Sequence, residues 1–229
     1  MAKKTFLRAR TEDARKTRKE DIIEAAIFII EKEGFSKLTM SAVAKKSKLG
    51  KATLYGYFAT REDLLLQVLQ NDFDSWFMNF YAYLKTTKSP FDEGFIDFWI
   101  QEVIKNPRLP GGLLYLISND EPELAMNFSE NWHLYLFSKL KEMHYQIISN
   151  FTPTLSFEKV SDLFVALTGM TTGLWAQSRV NGNTERFACK MKEMLLLKTD
   201  FSYYVELSLR GLLSLPEYKE LKELRPLQK

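Results

Sequence analysis

Cysteine is all but missing from this chain. Cys189 is the only one, so no disulfide can close within one copy and cysteine-ligated zinc is excluded. A reducing compartment is the default. Histidine is almost as scarce. His133 and His144 sit eleven residues apart on one expected helix with no ligand cluster around them, so each is read as structural or solvated and no metal site is expected. No apolar run reaches 18 residues, which excludes a membrane-spanning helix. The opening Met-Ala-Lys-Lys-Thr-Phe-Leu-Arg has no apolar core of a signal peptide, and a cytoplasmic setting is expected. Strand-like alternation is lacking too. So are a Ser-His-Asp order, paired catalytic carboxylates and a nucleotide fingerprint. Pro110-Gly111-Gly112 is followed by no Lys-Ser/Thr and reads as a helix start rather than a phosphate loop. No catalytic residue and no cofactor are therefore expected, and the chain does not read as an enzyme. Cys189 lies beside Lys190 and Lys192, which lower a thiol pKa, but a one-thiol redox sensor needs a second chain or an external thiol.

What the chain does have is helical period, aromatics and an uneven charge. Its 229 residues suffice for one large or two modest domains with a real core. There are 17 Phe, 10 Tyr and 4 Trp. Net charge is only +3, yet residues 1–70 hold 15 Lys and Arg against 9 Asp and Glu, while the remainder holds 17 against 20. A basic head on a slightly acidic body points to a polyanionic partner for the head.

Helices are expected over about 19–33, 39–47, 51–57, 61–84, 92–105, 111–118, 123–149, 156–180 and 184–214, the last open to a split at Thr199-Asp200. In the first, Ile22, Ile23, Ala26, Ile27 and Ile30 share a face, and Gly34 ends it. Thr39 is the expected cap of the second, and Thr60-Arg61-Glu62-Asp63 has the form of a capping box for the fourth. Residues 1–18 read as a basic arm carrying Lys3, Lys4, Arg8, Arg10, Arg15, Lys16 and Arg18. Such an arm either follows phosphates or stays solvated.

Residues 35–63 carry the sharpest signal: two short helices joined by a tight turn. Leu54 and Phe58 sit four apart and anchor the second helix. Ala52, Tyr55 and Gly56 fall on the opposite side, free to meet base edges. Thr53 and Tyr57 flank them at a spacing suited to phosphate oxygens. Lys48 and Lys51 add charge at the turn, and Thr39 and Ser41 offer hydroxyls and amides at the preceding helix start. An amphipathic hairpin with a solvated lysine face is the plainer alternative.

Residues 19–66 resemble the DNA-binding domain of the TetR/AcrR family of bacterial transcriptional regulators. The matching run is Ile22-Ile23-Glu24-Ala25-Ala26, Phe28, Gly34-Phe35, Leu38-Thr39-Met40, Val43-Ala44, Lys51-Ala52-Thr53-Leu54-Tyr55-Gly56-Tyr57-Phe58 and Arg61-Glu62-Asp63-Leu64. The resemblance implies an all-α fold of about nine helices, with a three-helix helix-turn-helix head on a C-terminal helical bundle. It also implies a homodimer that holds a double-stranded, palindromic DNA operator in the bacterial cytoplasm until a small molecule enters the body. By position, Ala52, Tyr55 and Gly56 stand where the family reads bases, and Thr39, Lys51, Thr53, Tyr57 and Arg61 where it holds phosphates. Lys48 stands where the family usually has Gly, so a left-handed turn falls on Lys48 or moves to Gly50. Gly56 replaces a larger base-facing side chain and implies leaner base readout.

The expected organisation is an arm over 1–18, the head over 19–63, a ligand-binding and dimerisation domain over 64–215 and a charged tail over 216–229. In the body, Ala166, Gly169, Gly173 and Ala176 make a small-residue stripe. With Leu207 and Gly211 of the last helix it forms either a dimer seam or an intrachain contact. Aromatic residues in excess of core needs suggest a pocket for a small apolar or aromatic effector. Its candidate lining is Trp76, Phe80, Phe98, Trp99, Tyr115, Trp132, Tyr135 and Trp175, with Asn119, His133 and Gln177 as polar contacts. The competing reading of the function is a DNA-binding accessory protein with no small-molecule ligand.

Overall fold

The computed structural model describes the backbone of residues 2–117, 122–151, 155–183, 201–218, 221 and 224–227. Side chains are described for these residues outside 2–11, 115–117, 122–129 and 178–183. Among the described residues the chain is all-helical: α1 Ala2–Glu33, α2 Met40–Ser47, α3 Lys51–Tyr55, α4 Arg61–Leu84, α5 Glu93–Lys105, α6 Arg108–Ile117, α7 Pro122–Asn150, α8 Phe157–Asn183 and α9 Phe201–Leu213. One isolated backbone bridge, Phe151 to Pro226, is the only extended pairing among them. The possible split at Thr199-Asp200 and the thiol of Cys189 lie outside the described residues, as does Asn119. Two compact units divide inside α4, between Asn71 and Asp72.

In the N-terminal unit, α1 buries Ile22, Ile23, Ala25, Ala26, Ile29 and Ile30. Ile27 is only half-buried, so the buried face is centred one residue away from the expected one. Gly34 takes φ 92° and returns its N–H to the Ile30 carbonyl at 3.0 Å, the left-handed ending that suits glycine. Backwards, α1 does not stop at the expected arm. Residues 12–21 contain neither Gly nor Pro and are rich in Glu, Arg and Lys, so propensity helps sustain the helix there. Residues 12–18 are all exposed.

Thr39 caps α2, its hydroxyl oxygen accepting the Ala42 N–H at 3.1 Å. At the other end of α2, Lys48 sits at φ 57°, ψ 29° and donates its N–H to the Ala44 carbonyl. Gly50, at φ −67°, is ordinary extended backbone. The left-handed turn therefore falls on Lys48. A non-glycine residue there costs about 1–2 kcal/mol, against a flexibility penalty of about 0.5–1 kcal/mol for glycine. Lys48→Gly is accordingly expected to raise the unfolding free energy by roughly 0.5–1 kcal/mol. Urea denaturation would read this as a higher midpoint at unchanged slope.

Helix α3 is shorter than its expected span. Gly56 N–H reaches back to both Ala52 (3.2 Å) and Thr53 (3.1 Å) carbonyls, and Tyr57 N–H bonds Leu54 at 3.0 Å. This tightened last turn places Tyr57 just past the helix. A Cβ on Gly56 would stand 3.2 Å from the Thr53 carbonyl oxygen, so this close turn suits a residue without a side chain. The capping box at α4 is reciprocal: Thr60 N–H donates to Asp63 Oδ2 and Asp63 N–H to Thr60 Oγ1, both at 3.0 Å. Leu64, Leu65, Val68 and Leu69 then bury the first half of α4.

The second unit is built on aromatic rings. Trp76 stacks on Phe80 at 5.4 Å and meets Trp99 and Phe164 edge-on at 5.3 and 5.6 Å. Asp92 caps α5 through the Gly94 N–H (2.9 Å) and accepts the Tyr83 hydroxyl (3.0 Å). Pro110 lies inside α6, in its first turn, where a missing N–H costs nothing; the Pro-Gly-Gly run is thus helical throughout. Helix α9 buries Val205, Leu209 and Leu213 and packs on α5 and α8. Beyond Pro216, the described residues of the expected charged tail make contacts with the second unit. Leu221 and Leu224 are buried, Ser89 donates to the Leu221 carbonyl at 3.5 Å, and Leu227 N–H bonds the Asn150 carbonyl at 3.0 Å.

Candidate nucleic-acid interface and body cavity

Helix α3 is pinned by one side and bare on the other. Leu54 and Phe58 are buried, while Lys51, Ala52, Thr53, Tyr55 and Gly56 are exposed, Tyr55 by 52%. A phenol half in water is an amphipathic tip available to a partner. Tyr57 is half-buried, with the Arg15 guanidinium 5.9 Å from its ring centre. Lys19 lies 5.7 Å from the Phe58 ring and donates to Gln67 Oε1 at 2.7 Å.

At the start of α2, Thr39 and Ser41 are exposed. The Thr39 oxygen is used by Ala42, which leaves the hydroxyl hydrogen as a donor. The first-turn N–H groups of α2 point the same way, the usual arrangement for an anion at a helix N-terminus. Lys48 is exposed. Arg61 is only partly so and is paired with Glu62, Nε to Oε1 2.7 Å, so part of its charge is already neutralised. Lys46 packs its ammonium 3.1 Å from the centre of the Phe28 ring. Sequence reasoning gave neither Lys46 nor Phe28 this role, because the two are on different helices and no spacing links them.

The body holds a cavity of about 30 Å³ lined by Phe73, Trp76, Trp99, Val103, Leu109, Pro110, Leu113, Phe164, Thr168, Thr171 and Thr172. That is room for a water or two and not for a drug-sized molecule. Trp99 Nε1 donates to Thr171 Oγ1 at 3.0 Å, and the Thr171 hydroxyl donates to the Leu167 carbonyl at 2.7 Å. A smaller void of about 10 Å³ lies against Trp76, Phe80, Phe95, Trp99 and Phe164.

Of the expected pocket residues, Trp76 and Trp99 line the cavity and Phe80 lines the smaller void. The rest are placed elsewhere. Phe98 stacks on Tyr83 at 5.2 Å. Trp132 packs edge-on against Phe73 at 5.0 Å. Tyr135 donates to Asp74 Oδ1 at 3.0 Å, and burial together with that bond pushes its phenol pKa up, so it stays a neutral donor. Trp175 meets Phe201 at 5.5 Å. His133 and Gln177 are exposed. The side chain of Tyr115 lies outside the described residues. The threonines at 168, 171 and 172 went unread in the sequence, although their spacing puts them on one helical face.

Along α8, Gly169 and Gly173 are exposed and Ala166 and Ala176 half-buried; on α9, Gly211 and Leu207 are exposed, Leu207 by 53%. A Cβ built on Gly169, Gly173 or Gly211 would meet nothing within 4 Å. Packing among the described residues therefore does not require glycine there.

The profile described as bacterial regulatory proteins, tetR family, matches residues 22–68. The chain is 32% identical over 62 residues to the HTH-type transcriptional repressor KstR of Rhodococcus jostii (strain RHA1), a match covering 27% of this chain and 29% of that protein. It is 29% identical over 103 residues to an HTH-type transcriptional regulator of Staphylococcus aureus (strain USA300), covering 42% and 53%. The chain thus spans about half, or less, of the length of these curated relatives. Two solved structures share the fold. The fatty acid degradation regulator FadR from Bacillus halodurans has a TM-score of 0.53 at 18% identity, covering 86% of this chain and 94% of that one. Thermus thermophilus FadR, a TetR-family transcriptional repressor in complex with lauroyl-CoA, has a TM-score of 0.52 at 19% identity, covering 85% and 93%.

Proposed function

The chain belongs to the TetR/AcrR family, and on that premise we propose that it is a sequence-specific, dimeric repressor released from its operator by a small apolar or aromatic effector. The observation that carries the DNA part is the division of α3: Leu54 and Phe58 buried, and Lys51 through Gly56 otherwise bare. Ala52, Tyr55 and Gly56 face base edges in the major groove. Thr39, Ser41, Lys48, Lys51, Thr53 and Tyr57 hold phosphates on either side. Arg61 contributes less, being shared with Glu62. The protein acts in the bacterial cytoplasm, where its operator is. Tyr55→Ala and Lys51→Ala are each expected to weaken operator binding about 5- to 150-fold, the effect of removing one good contact. The operator fragments would come from pull-down of genomic DNA and sequencing. Normal affinity in both variants would remove α3 from the interface.

The dimer supports two heads on successive major-groove turns, with Gly169, Gly173, Leu207 and Gly211 at the seam. Gly169→Arg is expected to yield a folded monomer in sedimentation, because the side chain has open space in one subunit and would stand in the proposed seam between two. A persistent dimer would move the seam.

An effector that enters this site must widen a cavity of about 30 Å³. It therefore binds best to a body conformer with α6 and α8 drawn apart. Its differential affinity for that conformer, typically about 1–3 kcal/mol, is what lowers DNA affinity. Helix α4 is continuous from Arg61 to Leu84 and belongs to both units, which makes it the shared element. The lauroyl-CoA held by Thermus thermophilus FadR is a precedent for an acyl chain, and the nearly all-apolar lining suits such a body. The tightness of the cavity favours one rival, an accessory DNA-binding protein without a ligand. Thermal stabilisation by acyl or aromatic compounds, with loss of DNA binding, separates the two.

A further inference from the structure

The segment that follows α9 is fastened across one end of the body. Tyr218 lies near α8, where burial and the Asp162 carboxylate push its phenol pKa up. Leu221 is fully buried, and its carbonyl accepts the Ser89 hydroxyl of the α4–α5 turn at 3.5 Å. Leu224 is buried as well. Pro226 then bridges Phe151, and Leu227 N–H donates to the Asn150 carbonyl at 3.0 Å, both at the α7–α8 turn. One segment thus holds two turns that belong to different helix pairs.

Both turns are braced from within. In the first, the Ser89 carbonyl accepts the Thr87 hydroxyl at 2.7 Å and the Tyr83 hydroxyl at 3.3 Å. In the second, Phe151 is buried and His144 Nε2 lies 2.8 Å from the Leu155 carbonyl oxygen. Helix α6 is built differently. It has ten residues, and Pro110, Gly111 and Gly112 fill the middle of its first two turns. Two adjacent glycines make it a weak helix by propensity. The two voids of the body lie between these unlike ends. Phe91 and Phe95, just past Ser89, line the smaller void, and Leu109 and Leu113 of α6 line the larger. Trp76, Trp99 and Phe164 belong to both.

We propose that the segment after α9, through Tyr218, Leu221, Leu224 and Leu227, is a clasp that keeps the α4–α5 and α7–α8 turns together, so that the body widens from its α6 end and stays shut at the other. This rests on the reading above that an effector widens the body, and it adds a direction. The apolar end of an effector enters past α6 and meets a closed end at the smaller void. With the other end held, displacement at α6 becomes displacement of α6 against α4 and not a general loosening of the bundle.

The test is hydrogen exchange of the full-length chain, followed by mass spectrometry with no ligand added, which reads the opening of each region separately. In the wild-type chain the amides of residues 111–114 in α6 are expected to exchange at least about 10-fold faster than those of 81–84 at the end of α4 and 147–151 at the end of α7. Leu227→Pro deletes the N–H given to Asn150 at a side chain that is 41% exposed. It is expected to speed exchange at 147–151 about 5- to 10-fold, the effect of one hydrogen bond, with α6 unchanged. Leu221→Ser/Leu224→Ser is expected to speed both turn regions by at least about 30-fold and so to reverse the wild-type order. If that variant does not fold, Leu227→Pro decides alone. Equal acceleration in α6 and at the turns would mean that the segment adds only general stability. Unchanged exchange at the turns, or α6 as slow as they are in the wild-type chain, would mean that it fixes no end. Each of these outcomes overturns the clasp and leaves the effector reading standing. That reading fails separately, if no acyl or aromatic compound stabilises the chain.

Discussion

Arg108→Ala is expected to lower the stability of the second unit by about 3–5 kcal/mol. Arg108 opens α6 and grips Asp72 of α4 through two bonds, Nε to Oδ2 at 3.0 Å and a second guanidinium nitrogen to Oδ1 at 2.7 Å. Asp72 is 7% exposed. Its carboxylate has given up most of its hydration, and the planar fork of the guanidinium supplies the replacement. With alanine at 108 that charge has lost its bidentate partner and cannot recover water without opening α4 from α6. The pair itself need not be strongly stabilising, because both ions were desolvated to make it. Asp72→Leu/Arg108→Leu is therefore expected to recover most of the loss, and urea melts of the two variants distinguish the cases. Equal destabilisation of single and double variants would mean that the arginine acts by packing alone. The pair also touches the proposed effector response. Leu109 and Pro110, the next two residues, line the cavity, so a widened cavity strains the grip on α4.

Phe164→Ala is the second large change. The ring stacks on Phe77 at 5.9 Å, meets Trp76 and Trp99 edge-on, and lines both voids of the body. Removing it costs about 3–5 kcal/mol in lost burial and cavity formation. It also joins the two voids into one apolar chamber. Thermal unfolding is expected to fall by several degrees and to be partly restored by small aromatic solutes such as benzene, which fill dry engineered cavities of this kind. If added aromatics leave the melting temperature unchanged, neighbouring rings have collapsed into the space. An intact cluster matters for the proposed function because a rigid aromatic wall on α4, α5 and α8 gives an effector something to push against.

How much of this was legible in the sequence depends on how local the cause is. The cap at Thr39, the box at Thr60 and Asp63 and the glycine ending at Gly34 follow from contacts four residues apart or fewer, and each is seen in the structure. The exposed and buried sides of α3 followed from the spacing of Leu54 and Phe58. The turn at Lys48 was left between two residues because its backbone choice is shared by two helices. The surroundings of the expected pocket residues depend on longer-range causes. Aromatic residue type says that a side chain is large and apolar, but the partner is set by long-range packing. Trp132 and Trp175 went to rings of their own, Tyr135 to Asp74, and threonines took positions along the cavity wall. The tail carries many charges, and within it two leucines, Leu221 and Leu224, are buried.

Those two leucines impose an order on biosynthesis. The head is complete within the first 71 residues apart from a small later segment, and its buried contacts join residues close in sequence. It can gain structure while the ribosome is still translating the body. The second unit cannot finish on the same schedule. Ser89 waits 132 positions for Leu221, and the end of α7 waits for Leu227. Such distant closures are slow to form and leave apolar faces uncovered meanwhile. The head can therefore gain structure on a body that is still unfinished, and a premature stop codon anywhere before Leu221 leaves that body without two of its buried residues.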